Sequence, residues 1–303
     1  MEESSPTQQF LASESFSDSV NYRQRPRVKC DFPRSIQEYF IQKSFLVELM
    51  CSITIFALGY NIPSFILKQH IRSIPYQKTS NGDILLDLYV NRNYNNSPTV
   101  PSWMLILSCD IIPIIVLIGY GSMGGNKMSD IHSSLCAFTT AMGMTGFLTN
   151  SIKLYAGYFR PCFYDYCEYN VNDNRCESSN THALTDSRMS FPSGHSSNAF
   201  CAMTIMTLYF LGKVGILRED STSFHVSEST YFPSPQKKLM YLLALTPMLW
   251  AFFVASSRVH DDMHHPADIV AGSLIGYACA RTMYRLWYPA IDSYHAGVPY
   301  YGK

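Results

Sequence analysis

Ser257-Arg258-Val259-His260-Asp261-Asp262-Met263-His264-His265-Pro266-Ala267-Asp268 lies between two apolar runs, 239–256 and 269–286. A dense polar cluster between segments of membrane length is costly to keep, and ionisable groups at a membrane boundary mark a functional site by default. Pro266 suits the first turn of a new helix. If that helix already includes His264, then His264 and Asp268 stand four apart on one face. A carboxylate against one ring nitrogen of a histidine fixes its tautomer and leaves the other nitrogen free to attack or to accept a proton. His260 and His265 are rivals for that role, since His265 is also a helical neighbour of Asp268; spacing alone does not choose among them. Arg258 adds a planar, permanently charged fork suited to phosphate.

Composition sets the surroundings of this cluster. The 303 residues are 47% hydrophobic and 15% charged, well below the roughly 25% charged residues of soluble domains. Net charge is zero, which argues against a nucleic-acid partner. Six stretches suit spans of about 20 residues: 45–66, 102–123, 131–152, 194–211, 239–256 and 269–286. A soluble all-helical core is the competing account, and hydropathy disfavours it. Glu48 and Asp110 fall within the first two runs, and both read as buried packing residues because no motif includes them. No secretory leader precedes the first run, so that run is expected to stay as a signal anchor. Residues 1–42 read as a largely disordered tail that turns basic at Arg23, Arg25, Arg27, Lys29 and Arg34; positive charge beside a first span favours a cytoplasmic N-terminus.

Two further clusters are in loops beside apolar runs. One is Lys153-Leu154-Tyr155-Ala156-Gly157-Tyr158-Phe159-Arg160-Pro161, and the other is Phe191-Pro192-Ser193-Gly194-His195-Ser196. With the opening stretch they read, in chain order, as K-x6-RP, PSGH and SR-x5-H-x3-D. Any one of the three is weak; three in order are specific. Together they resemble the type-2 phosphatidate phosphatase superfamily, most closely its lipid phosphate phosphatase and diacylglycerol pyrophosphate phosphatase branch. The resemblance covers residues 102–289 and says little about the tail. It implies an all-α bundle of six transmembrane helices whose extramembrane loops carry the site. Residues 43–290 would form that domain, and 291–303 a cytoplasmic C-terminal tail.

The resemblance also assigns roles. It makes His264 the nucleophile that forms a phosphohistidine, Asp268 its orienting carboxylate, and His195 the acid that protonates the leaving alkoxide and then helps activate water. Lys153, Arg160 and Arg258 would neutralise the phosphate, with the Ser193 hydroxyl and the Gly194 N–H at a helix start completing the cradle. No carboxylate cluster suits Mg²⁺, so the cations stand where a metal would, and the implied reaction needs no metal or cofactor. The implied substrates are phosphatidate, lysophosphatidate, diacylglycerol pyrophosphate or similar lipid phosphates in the bilayer. A polyprenyl-diphosphate or sphingoid-phosphate phosphatase is the nearest alternative, with glucose-6-phosphatase-like action further off. A non-catalytic lipid-binding relative would be expected to lack motif residues, and a transporter would show broken-helix repeats. One departure stands out: many lipid phosphate phosphatases carry a basic residue after the motif glycine, where this chain has Tyr158. Homo-oligomer formation and the choice between plasma membrane and endomembranes are left open.

Nine cysteines include no CxxC pair, which disfavours zinc; one pair among Cys162, Cys167 and Cys176 would form a disulfide if their loop faces an oxidising compartment. Asn95-Asn96-Ser97 is a sequon of little weight by itself. Alternation from a cytoplasmic N-terminus puts loops 67–101, 153–193 and 257–268 on the extracytoplasmic face, together with every motif. Lys127, Lys213, Arg218, Lys237, Lys238, Arg281, Arg285 and Lys303 then fall on the cytoplasmic side, as the positive-inside rule asks. A cysteine placed at Asn180 should therefore react with an impermeant thiol reagent on outward-oriented vesicles, and one at Glu219 only after permeabilisation. The reverse pattern would overturn this topology.

Overall fold

The computed structural model describes residues 36–302 apart from 42, 82, 126 and 218–233. The basic residues at 23–34 and most of the 213–238 connection lie outside the described residues. The chain is mostly helical. In order it runs α1 (Ile36–Ile41), α2 (Lys43–Ile66), β1 (Tyr76–Lys78), β2 (Ile84–Leu86), then α3 (Ser102–Ile106), a π-helical turn (Leu107–Ile111) and α4 (Ile112–Gly121) as one continuous rod. There follow α5 (Lys127–Ala156), α6 (Phe163–Tyr166), β3 (Tyr169–Asn170), β4 (Arg175–Cys176), α7 (Thr181–Asp186), α8 (Gly194–Val214), α9 (Pro235–His260) and α10 (Pro266–Trp287). The strands pair as two small antiparallel hairpins, β1 with β2 and β3 with β4, both in the loops on the motif side.

Long helical segments thus stand on all the apolar runs. Among the described residues, three are long and apolar enough to cross a membrane: Ser44–Ile66, Ser102–Gly121 and Pro235–His260. Their side chains explain why. Val47, Ile53, Ile115, Leu242, Leu249 and Phe252 point away from the bundle and are exposed. A monomeric soluble protein rarely shows apolar area on that scale; in a bilayer it faces acyl chains. The chain is an integral membrane protein.

The other three long helices are more polar because they form the interior. α5 packs against α2, α10 and α8, and α8 packs against α10 and α9. Ser133, Thr145, Thr149, Ser196, Ser197 and Thr204 on α5 and α8 are buried. With acyl chains outside, close packing and not water exclusion holds such helices together, and small residues permit it. A Cβ on Gly59 would strike the carbonyl of Gly143, and one on Gly276 the carbonyl of Ser197, so α2 lies directly on α5 and α10 directly on α8.

Carboxylates anchor the end of the bundle away from the motifs. Glu48 accepts from Trp287 Nε1 at 2.7 Å and Tyr301 Oη at 3.0 Å, and lies 3.1 Å from His132 Nε2. Asp130 accepts from Tyr209 Oη at 2.6 Å, Lys213 Nζ at 2.7 Å and Tyr288 Oη at 2.9 Å. The C-terminal segment through Tyr301 is therefore part of this packed end, and Glu48 is a bonded packing residue, as its sequence context indicated. Asp110 lies on the π-helical turn, where Pro113 follows without an N–H for the carbonyl of Cys109; widening one turn accommodates that loss.

α5 and α9 end, and α8 and α10 begin, at one end of the bundle, so the four motif-bearing helix termini meet there. This meeting depends on the α8–α10 contact. Gly276→Ala should destabilise the protein in detergent by about 1–3 kcal/mol, the usual cost of overpacking, read as a drop in thermal midpoint. Gly119→Ala, with nothing within 4 Å of the added carbon, should not. Equal stability of Gly276→Ala and wild type would mean that α8 and α10 do not approach this closely.

Candidate active site

Lys153 is on the last turn of α5, and the chain then turns at Gly157, whose φ of +54° is a left-handed conformation that suits glycine. A Cβ there would also meet the carbonyl of His70, because the segment after α2 straps over this turn: His70 N donates to Leu154 O at 2.8 Å. Lys153 Nζ donates to Met189 O at 2.7 Å. Burial, reinforced by the charge of Arg160 and opposed by Asp186 and Asp268, pulls its ammonium down to about 8.

Arg160 is 5% exposed and held from several sides. Nε donates to Asp186 O and Nη2 to Asp186 Oδ1, both at 2.8 Å. Nη1 donates to Met263 O at 2.9 Å and lies 3.2 Å from His264 Nε2. Asp186 closes α7, and the charges of Arg160 and Lys153, acting against its burial, hold its carboxyl below the ordinary range.

His264 is 3% exposed. It lies outside α10, which begins at Pro266 with His265 as the capping residue; the helical i,i+4 pairing conditional on an earlier start does not form. Asp268 still reaches it from the first turn, with Oδ2 3.5 Å from Nδ1. Ser190 Oγ donates to the same Oδ2 at 2.5 Å and lies 3.5 Å from Nδ1. With the carboxylate and the hydroxyl on its side, Nδ1 is the nitrogen suited to carry the proton, leaving the Nε2 lone pair towards Arg160. Burial, with the neighbouring Arg160 and Lys153 charges, holds His264 well below its ordinary value, hence neutral. His265, the rival, is occupied: its N–H donates to Asp268 Oδ2 at 2.9 Å and its Nε2 lies 3.2 Å from Phe159 O.

Ser193 caps α8. Its Oγ accepts from Ser196 N at 3.4 Å and Ser196 Oγ at 3.1 Å, and its own N–H donates to Asp268 O at 3.0 Å. Gly194 and His195 open the helix, where N–H groups have no helical carbonyl to meet. His195 Nε2 is buried without a hydrogen-bond partner among the described residues. Arg258, 2% exposed, donates through Nη2 to Asp261 Oδ2 at 2.7 Å and through Nε to Ser257 Oγ at 3.1 Å. Asp261 is braced in turn by Thr99 Oγ1 at 2.7 Å and Asn95 Nδ2 at 3.3 Å, so the sequon amide has a structural bond. His260, the third candidate, is on the last turn of α9 and exposed.

Asp186, Ser190 and Asp261 were not picked out from the sequence. Asp261 stands inside the opening stretch, three residues from Arg258, a spacing that helical pairing could have flagged. Asp186 and Ser190 are in a loop without periodicity, and nothing local marks them. In that loop Cys167 and Cys176 form a disulfide, leaving Cys162 as a buried thiol. Among the described residues no His, Cys, Asp and Glu side chains cluster as a metal site.

Comparison with known proteins agrees with this arrangement. The chain is 30% identical over 227 residues to lipid phosphate phosphatase 1 of Arabidopsis thaliana, covering 73% of this chain and 63% of that protein. It thus spans less than two thirds of that relative's length. It is 29% identical to diacylglycerol pyrophosphate phosphatase 1 of Saccharomyces cerevisiae, over 68% of this chain and 70% of that protein. A PA-phosphatase related-family protein of Dictyostelium discoideum is 28% identical over 85% of this chain and 84% of its own length. No solved structure matches significantly. The family model described as the PAP2 superfamily matches residues 134–292, which takes in all three motifs, and the chain belongs to that superfamily.

Proposed function

We propose that this protein is a six-span membrane phosphatase that hydrolyses lipid phosphates through a phosphohistidine on His264, with its site on the extracytoplasmic face. The observation that carries the reading is the 3.2 Å between Arg160 Nη1 and His264 Nε2. A phosphoryl oxygen that takes the guanidinium's hydrogen bond from Nε2 brings phosphorus to the imidazole nitrogen that faces away from the carboxylate, and such positioning is a large part of phosphoryl transfer.

The phosphate enters among Lys153, Arg160 and Arg258, with the Ser193 hydroxyl and the first N–H groups of α8 completing the cradle. His264 Nε2 attacks phosphorus in line. The positive charge that develops on the ring is met by Asp268 at Nδ1. The lipid alkoxide departs opposite, taking a proton from His195, which enters this step as the imidazolium with the negative charge of the bound phosphate beside it; His195, now neutral, then draws a proton from the water that attacks the phosphohistidine. Phosphate leaves, and both histidines return to their starting states. The involvement of His265 with Phe159 O and the cap of α10 supports His264 over its neighbour. The substrate class follows from the setting: the motif ends of the helices adjoin lipid-facing surface, and the relatives' names refer to lipid phosphates and diacylglycerol pyrophosphate. The charge bias of the loops and the Cys167–Cys176 disulfide both support an oxidising, extracytoplasmic location.

In EDTA and without added metal, purified protein should release phosphate from phosphatidate micelles. His264→Ala should abolish turnover of every substrate. His195→Ala should lose about 10²–10⁴-fold on phosphatidate but far less on p-nitrophenyl phosphate, whose leaving group departs unprotonated; burst-phase rates separate this from the water step. Equal losses of His195→Ala on both substrates would remove the acid role, and activity restored only by Mg²⁺ would remove the metal-free mechanism.

The alkaline limb is set by Lys153. It binds phosphate as the ammonium, present below its value of about 8 and lost above it, so kcat/KM should fall, and inhibition by inorganic phosphate weaken, as pH rises through that range. Arginine stays charged to beyond about pH 12, so Lys153→Arg should remove this limb. An unchanged limb in that variant, or phosphate inhibition in the wild type constant between about pH 7 and 9, would assign the limb to another group.

A further inference from the structure

Beside the candidate site lies a cavity of ≈ 1370 Å³ whose lining includes Asp268 but no other residue given a role in the steps above. Its walls come from the strap after α2, the end of α5 and the start of α10. Its apolar lining includes Ala156, Phe191, Pro266 and Ala267. Tyr89, Tyr155 and Tyr158 stand around it, and Lys68 and Arg72 supply its charge.

Arg72 is built into this position. Its Nε donates to Ala156 O at 2.7 Å, its guanidinium lies 5.2 Å over the ring of Tyr158, and its own carbonyl accepts from Arg188 Nη1 at 3.1 Å. The strap is fixed just ahead of it, by His70 N to Leu154 O at 2.8 Å and Gln69 Nε2 to Thr185 O at 2.9 Å. Both terminal nitrogens of Arg72, and Nζ of Lys68, lack a protein partner among the described residues. The carboxylate in the lining, Asp268, is 0% exposed and holds Ser190 and His265 N, so it does not neutralise these cations. The rim identifies the source of the ligand. Ile71 and Tyr155 are 74% and 81% exposed, and Phe65 and Val270, just beyond, are 87% and 60% exposed. Cations and tyrosines above exposed apolar side chains are the pattern of a membrane–water boundary.

We propose that this cavity binds an anionic membrane phospholipid that is not the substrate, its phosphodiester held by Arg72 and Lys68 and its acyl chains lying against the exposed apolar side chains of the rim. The ring of His265 joins this cavity to the catalytic turn: it lies 5.5 Å from Tyr158 and 5.8 Å from Tyr89, centroid to centroid. The occupant therefore rests against the same turn that presents His264. The inference does not depend on the phosphatase reading, because it concerns binding alone.

The test is equilibrium binding of tail-labelled phosphatidylglycerol to the purified full chain in phosphatidylcholine nanodiscs. Phosphatidylglycerol is a diester, which a phosphomonoesterase does not turn over, so failed catalysis and failed binding are separate results. It should bind about tenfold or more tightly than labelled phosphatidylcholine. Lys68→Gln and Arg72→Gln should each weaken it about fivefold, the effect of one interfacial cation. Millimolar inorganic phosphate should leave it bound. Lys68 is exposed and has no hydrogen bond in the fold among the described residues, so its variant reports even if loss of the Arg72 clamp disturbs folding. Equal binding of the two lipids, no effect of Lys68→Gln, or displacement by inorganic phosphate would each overturn the proposal.

Discussion

The buried guanidinium of Arg160 is the constraint from which the rest of the site follows. Its nitrogens meet Asp186, Met263 and His264, residues from two loops separated by two transmembrane-length helices. A charge 5% exposed is tolerable only when paired and fully hydrogen-bonded. Asp186 provides the charge, two carbonyls accept most of the remaining protons, and the Nη1 direction is left for His264. Asp186, at the end of a helix that is itself capped by Asn180 accepting from His182 N at 3.0 Å, thereby makes loop 163–190 part of the site. Arg258 repeats the pattern with Asp261 and the loop at 95–99.

Keeping three cations together costs free energy that the free protein must offset, and each is offset incompletely. Lys153 has a carbonyl but, among the described residues, no carboxylate within bonding distance, and burial beside Arg160 makes its ammonium easier to deprotonate. Arg258 keeps Nη1 without a partner among the described residues. Asp186 and Asp261 neutralise two of the three, so in the proposed mechanism a phosphate dianion meets one positive charge that is still unsatisfied. In the proposed mechanism that residual imbalance, in a low-dielectric pocket, binds and polarises phosphate. Burial, with the same excess of positive charge, keeps His264 neutral, because its protonation would add a further charge to a buried place already short of anions.

What could be read from the chain was the part with a local signature. The apolar runs became helices because hydrophobic length needs no context, and the motif residues lie together because each is at a helix end next to such a run. The spans were harder to grade. Residues 131–152 and 194–211 are rich in Ser, Thr and Gly, and only the packed structure shows that these are inner helices whose small side chains permit close approach. Asp186, Ser190 and Asp261 escaped notice because a hydrogen-bond partner for a distant arginine has no periodicity. The start of α10 was uncertain by the residues that mattered. Pro266 was recognisable as a first-turn residue, yet His264 lies before the cap, where a bend carries its ring back over Asp268.

The substitution at Tyr158 shows how a local departure can be absorbed at a distance. Where many lipid phosphate phosphatases carry a basic side chain, this chain has an aromatic ring, and from sequence alone the change looks like a lost charge. In the structure the ring is covered by Arg72, 86 residues earlier in the chain, with its guanidinium 5.2 Å from the ring centroid and its Nε anchored on the last carbonyl of α5. A cation over the face of a tyrosine gains about 0.5–1 kcal/mol when exposed, enough to favour one placement of a side chain already held at Nε. The local charge is therefore similar, but it is mounted on the strap and points along the membrane boundary instead of rising from the motif itself. Residues 67–72 are thus bound to the catalytic loop by backbone bonds at His70 and by the glycine turn at 157, and a change in how that strap is seated reaches Tyr158, then His265, then the turn that presents His264.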